Sequence, residues 1–168
     1  MMSDRQMRGD AQASPQSILI LGVGNLLLGD DGFGVHLINA LKDIPFPPNV
    51  HLLEAGTVSH QLIPLFREIE HLIVLDVVEA GDIPGSIFRF SPDDMQFPTE
   101  QKASLHQISL IDVLRMAELT GGKPKTVILA VQPKDVSSWS LDLSDELEAI
   151  IPKVKELVVE ELKKIKAL

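Results

Sequence analysis

Three residues far apart in the chain, Asp31, Asp76 and His106, have the types and the placement of a transition-metal site. Two carboxylates and one imidazole offer oxygen and nitrogen donors suited to a borderline divalent ion. Asp31 lies in the Gly-rich connection Gly22-Val23-Gly24-Asn25-Leu26-Leu27-Leu28-Gly29-Asp30-Asp31-Gly32-Phe33-Gly34. Asp76 ends the apolar run Leu72-Ile73-Val74-Leu75, and His106 opens the segment 104–110. Taken singly, each has a plainer explanation. Asp30 is expected to cap the helix that follows, leaving Asp31 to project into a cleft. Asp76, at the end of a buried strand, needs a hydrogen bond or a cation, because an isolated buried carboxylate is costly. His106 falls in the first turn of a helix, where the positive end of the dipole favours the neutral, ligand-competent ring. Joint placement is what singles the three out.

Those residues need elements to hold them. Residues 17–23 form a continuous apolar run before glycines, the pattern of a buried strand entering a tight turn. Val35, Ile38 and Leu41 mark one face of a helix that must stop before Pro45, Pro47 and Pro48. Residues 50–54 read as a second strand, and a helix carrying Leu62, Leu65, Phe66 and Ile69 follows. Residues 71–78 are the third strand. Ile83-Pro84-Gly85-Ser86 puts Pro and Gly at the centre of a type II turn. The short strand 86–90 that follows arrives too soon for a parallel crossover and is expected to be antiparallel. Ser104 and Gln107 make an S-x-x-Q capping box for a helix ended by Gly121-Gly122. Residues 125–131 are a further buried strand. A long amphipathic helix from about Ser144 closes the chain, with Pro152 expected to kink or divide it.

Strands alternating with helices predict an α/β three-layer sandwich: a mainly parallel twisted sheet of about five strands, one antiparallel, with helices on both faces. Ligands in such sheets bind beyond the carboxyl ends of the strands. Asp76 and the loop holding Asp31 both belong to that edge. At 168 residues the chain fits one domain, expected over 17–168 behind a flexible polar tail over 1–16. The formal charge of −9 argues against nucleic acid, which calls for clustered Lys and Arg. The absence of cysteine excludes disulfides, thiol catalysis and thiolate ligands, and it is compatible with a cytoplasmic protein. No apolar stretch approaches the ~20 residues that span a bilayer, and the tail lacks a signal-peptide core, so no membrane association is expected.

Other motifs weigh less. Gly22-Val23-Gly24 begins a dinucleotide fingerprint, but Leu27 stands where its third glycine belongs, and no phosphate-binding G-x-x-x-x-G-K occurs. Leu26, Leu27 and Leu28 suit the core or an apolar protein surface better than a pyrophosphate. His36 lies within a helix pattern, and His51, His60 and His71 flank strands without acidic neighbours at useful spacing. Two rival readings remain open on the residues alone. A receiver-like phospho-acceptor would use the acidic pair, Asp76 and Lys134, but its acidic pair belongs at a strand end and His106 would have no role. A dinucleotide-binding oxidoreductase would use Glu54 as its ribose acid, without the third glycine.

The string from Ile20 to Val35 closely resembles the opening of the nickel–iron hydrogenase maturation endopeptidases. His71-Leu72-Ile73-Val74-Leu75-Asp76 resembles their second acidic motif and Leu105-His106-Gln107-Ile108-Ser109-Leu110 their histidine motif. Val131-Gln132-Pro133 is similar to their segment after the last strand. The resemblance runs from about Ser17 to the final helix. It implies a protease, of aspartyl or metal-dependent type, that removes a C-terminal extension from the nickel-loaded precursor of a hydrogenase large subunit. Asp31, Asp76 and His106 map onto the family's metal-contacting and catalytic residues. The nickel is expected to arrive with the precursor, the partner of the reaction, so that the isolated protein is apo. Some members have Glu where Asp31 stands, which shortens the reach here by about one C–C bond, ~1.5 Å. Glu54-Ala55-Gly56-Thr57 departs from the family's Asp-Gly-Gly-Thr form.

Overall fold

The computed structural model describes residues 17–57, 60–94 and 105–166, with the side chains of residues 105–109 outside that description. In chain order the elements are β1 (Ile18–Val23), α1 (Phe33–Leu41), β2 (Val50–Gly56), α2 (Ile63–Phe66), β3 (His71–Val77), β4 (Ile87–Phe90), α3 (Leu105–Leu119), β5 (Lys125–Val131) and α4 (Asp145–Lys164). The sheet runs β2-β1-β3-β5-β4. Its first four strands are parallel, and β4 is antiparallel to β5. This is the α/β architecture expected from the alternation of elements.

Every residue of β1 and β3 is buried, because helices cover both faces of the sheet centre. Strand alternation divides the core in two. Ile18, Ile20, Ile73, Leu75 and Val77 pack against Phe33, Leu37, Ile38 and Leu41 of α1 and Leu147, Val154, Val158 and Leu162 of α4. Leu19, Leu21, Leu72, Val74, Ile128 and Ala130 pack on the other side, against Phe66 of α2 and Leu110, Val113 and Ala117 of α3. Burying each large apolar side chain contributes about 1.5–3 kcal/mol.

Two elements differ from expectation. The helix after β2 is a single turn of α-helix behind a 3-10 turn at His60–Leu62, and Ile69 lies beyond it. The backbone N–H groups of Glu70 and His71 donate to the Ser17 carbonyl (2.9 and 3.2 Å), drawing the chain out into β3. The closing helix is not divided: Pro152 sits inside the continuous α4. Proline removes one ladder hydrogen bond, but Leu147 before it and Val154, Val158 and Leu162 after it are fully buried on one stripe. The type II turn is present, with Gly85 at φ 89° and the Ser86 N–H donating to the Ile83 carbonyl at 3.1 Å. The Ser104–Gln107 capping box lies outside the described residues.

The edge strand is tied down electrostatically. Arg89 of β4 donates Nε and Nη2 to the two carboxylate oxygens of Glu161 on α4 (2.8 and 3.0 Å), and Lys164 adds a third contact at 2.6 Å. The Arg89 hydrogen bonds hold the Glu161 carboxyl below its ordinary range against its burial. No helix among the described residues is long and apolar enough to cross a membrane.

Candidate active site

The site begins with a turn that only glycines permit. Gly24 leaves β1 at φ 137°, and a Cβ there would collide with the Asp31 carbonyl. Ten residues on, the first turn of α1 lies directly on the strands. A Cβ at Gly34 would run into the carbonyl oxygens of Leu75 and Val23. This approach sets the 3-10 turn Gly29–Gly32, which contains both acidic residues of the loop, against the end of β3.

Asp31 is 5 % exposed, and its Oδ2 accepts the Asn25 N–H at 3.1 Å. The Asn25 side chain in turn accepts the Leu27 N–H at 3.0 Å, so the loop closes on itself. Asp76 is 1 % exposed, stands beside Ala130 of β5, and accepts the Val77 N–H on Oδ1 at 2.8 Å. Strand alternation puts it on the same face as Leu72 and Val74, the side covered by α2 and α3. Because α3 leads down into the start of β5, its N-terminal end, where His106 lies, is at the carboxyl edge of the sheet. The backbone thus brings all three positions to one edge. The His106 side chain lies outside the described residues, and no group of three acidic or imidazole side chains that could hold a metal occurs among the described ones.

Asp30 does not cap α1. The N-cap of that helix is Gly32, with no side-chain cap. The carboxylate of Asp30, 1 % exposed, turns the other way. Its Oδ2 accepts the Lys134 and Asp135 N–H groups (2.8 and 3.2 Å) and the Ser144 hydroxyl (2.9 Å), while Oδ1 accepts the Ser144 N–H at 2.7 Å. One buried carboxylate therefore clamps the loop after β5 and the N-cap of α4 to the turn that presents Asp31. The partners lie more than 100 residues away in sequence, which is why local spacing suggested a cap instead.

Gln132 is a supporting residue that the chemistry-bearing types did not single out. It is 8 % exposed, and its side-chain oxygen accepts the N–H groups of Ala80 and Asp82 (2.9 and 3.2 Å), fixing the loop that follows Asp76. A polar residue directly after a buried strand was its sequence signal.

Two residues invoked only by the rival readings, Lys134 and Glu54, form ion pairs of their own. Lys134 Nζ pairs with Glu146 at 2.8 Å, and Glu54 pairs with Lys42 at 2.7 Å. Glu54 also lines a cleft of about 470 Å³ together with Gly24, Asn25, Leu26, Val35 and Thr57, on the flank of the Asp31 loop.

The sequence model of the hydrogenase maturation proteases matches residues 35–161. HupD of Rhodobacter capsulatus, a hydrogenase expression/formation protein, is 37 % identical over 128 residues; the match covers 74 % of this chain and 61 % of HupD, less than two thirds of its length. The hydrogenase 2 maturation protease of Escherichia coli K12 is 33 % identical over 148 residues, covering 87 % of this chain and 90 % of that one. The fold superposes on the hydrogenase-maturating endopeptidase HybD from E. coli with a TM-score of 0.79 at 32 % identity, covering 89 % and 93 % of the two chains. With the family model matching well over half of the chain, from within α1 through most of α4, the chain belongs to the hydrogenase maturation protease family.

Proposed function

We propose that this chain is a cytoplasmic endopeptidase that removes a C-terminal extension from the precursor of a nickel–iron hydrogenase large subunit. Asp31, Asp76 and His106 hold the nickel that the precursor brings with it. The observation that carries the reading is the delivery of two buried carboxylates and the N-terminal end of α3 to one sheet edge. The donor chemistry fits: carboxylate and imidazole suit a borderline divalent ion whose other positions are filled by the substrate. Burial also fits, since carboxylates kept from water at a shared edge favour a cation between them. When bound, such an ion polarises a carbonyl or activates a water. The protein's own part is to fix the donors. Asn25 orients Asp31, the β3–β5 pairing places Asp76, and Asp30 and Gln132 hold the surrounding loops.

The test is cleavage of purified precursor with and without nickel, followed by mass spectrometry. The nickel-loaded form is expected to be shortened and the nickel-free form left intact. Changing Asp31, Asp76 or His106 to Ala is expected to slow cleavage by on the order of 100-fold or more, beyond what loss of an outer-shell partner costs. Equal cutting of both precursor forms would eliminate nickel as the recognition element.

A further inference from the structure

The loop that carries Asp31 also carries an apolar surface that the proposed chemistry leaves unused. Leu26 and Leu27 are 37 % and 49 % exposed, Trp139 and Leu141 81 % and 64 %. The backbone sets the two segments that carry them side by side. The Ser140 N–H donates to the Leu27 carbonyl at 3.1 Å, the Gly29 N–H donates to the Ser140 carbonyl at 2.8 Å, and Leu28 bridges Ser140 in parallel register.

The backbone beneath the patch is fixed. The His36 ring Nε2 donates to the Leu141 carbonyl at 3.1 Å, and the Asp30 carboxylate holds Asp135 and Ser144 at the two ends of the segment. Exposed tryptophan and leucine on a pre-ordered backbone are characteristic of a binding surface, and tryptophan is enriched among the residues that dominate interface energies.

The flank of the patch is anionic. A depression of about 390 Å³ beside Ser138 and Ser140 is lined by Asp135, Asp142 and Asp145, and its lysine, Lys134, is paired with Glu146. Hydrogen bonds from Ser138 and Ser137 hold the Asp135 carboxyl far below its ordinary range, which keeps that carboxylate ionised. A second copy of the chain, itself carrying a net charge of −9, would set acid against acid here.

We propose that Leu26, Leu27, Trp139 and Leu141 form the docking surface for the hydrogenase large-subunit precursor, received through an apolar segment that carries Lys or Arg beside its apolar side chains. The proposal rests on the function proposed above. A protein whose scissile bond reaches Asp31 must cover the surface that begins five residues earlier in the same loop.

Two measurements test it. In cleavage of nickel-loaded precursor, Trp139→Ala and Leu27→Ala are expected to raise KM by roughly tenfold or more with kcat within about twofold, the pattern of lost binding without lost chemistry. Asp142→Lys should raise KM several-fold at low salt, with the difference vanishing at high salt. Trp139 is the single tryptophan of the chain, so 5-fluorotryptophan labelling gives one enzyme ¹⁹F resonance, expected to shift when precursor is added. Unchanged KM in the apolar variants with an unmoved resonance overturns the docking surface. So does a fall in kcat alone, or a wild-type dimer that Trp139→Ala dissolves. Wild-type protein that binds precursor and shifts the resonance, yet cuts nothing, refutes the proposed activity and leaves the docking surface standing. Absence of any binding overturns both.

Discussion

Asp30 and Asp31 are adjacent, both acidic and both buried, yet they face different parts of the molecule. Asp31 looks back to Asn25 and the strand ends, whereas Asp30 gathers four donors from Lys134, Asp135 and Ser144. Hydrogen bonds to an ionised, buried acceptor are among the stronger contributions to stability, and an amide in its place turns its own N–H groups toward donors. Asp30→Asn is therefore expected to lower unfolding stability by about 2–4 kcal/mol in urea titration. A change below the error of that measurement would show that water satisfies these donors as well as the carboxylate does. The burial of Asp76 was legible from sequence because a charged residue ended an unbroken apolar run. The division of labour between Asp30 and Asp31 was not legible. It depends on contacts with a loop and a helix that the chain reaches only about a hundred residues later.

At the scale of elements, the decisive contact is α1 lying on the carboxyl ends of β1 and β3. Gly34 permits it, since the carbonyls of Leu75 and Val23 occupy the space of any side chain. Gly34→Ala must push α1 off the sheet, and overpacking against backbone has no rotamer to relieve it. We expect a loss of about 3 kcal/mol or more, read from denaturant unfolding, and a fall in cleavage that persists at temperatures where the variant is still folded. Wild-type stability and activity in this variant would show that the helix can shift without moving Asp31. Periodicity placed the strands to within two residues at each end, because continuous burial writes itself into continuous apolar runs. It overextended the helix after β2 and anticipated a kink or a division at Pro152, of which the division does not occur. Tertiary hydrogen bonding ended the first early, and packing carried the second through.

For the whole molecule, pH couples to stability through His71, buried at the start of β3 beside Lys125 of β5. Burial first, then the Lys125 charge, lowers its pKa below the ordinary value of 6.5, against a smaller opposing pull from Glu70. The folded chain then binds fewer protons than the unfolded one between the two values. Stability is full above about pH 6.5 and falls as pH drops through the folded value. Wild-type protein should unfold at lower urea concentration at about pH 5.5 than at pH 7, and His71→Gln should remove that component; an unchanged pH profile would relieve His71 of the role. Sequence by itself determined the sheet and its mainly parallel sense, because both follow from local burial and turn geometry, and it carried the motifs by which the family is recognised. Tertiary structure alone decided that Asp30 is a clamp, that Lys134 and Glu54 are engaged in ion pairs, and that Trp139 and Leu141 stand beside the Asp31 loop. The physical reason is sequence separation: such contacts are specified by the packing of elements, and nothing in the spacing of neighbouring residues encodes them.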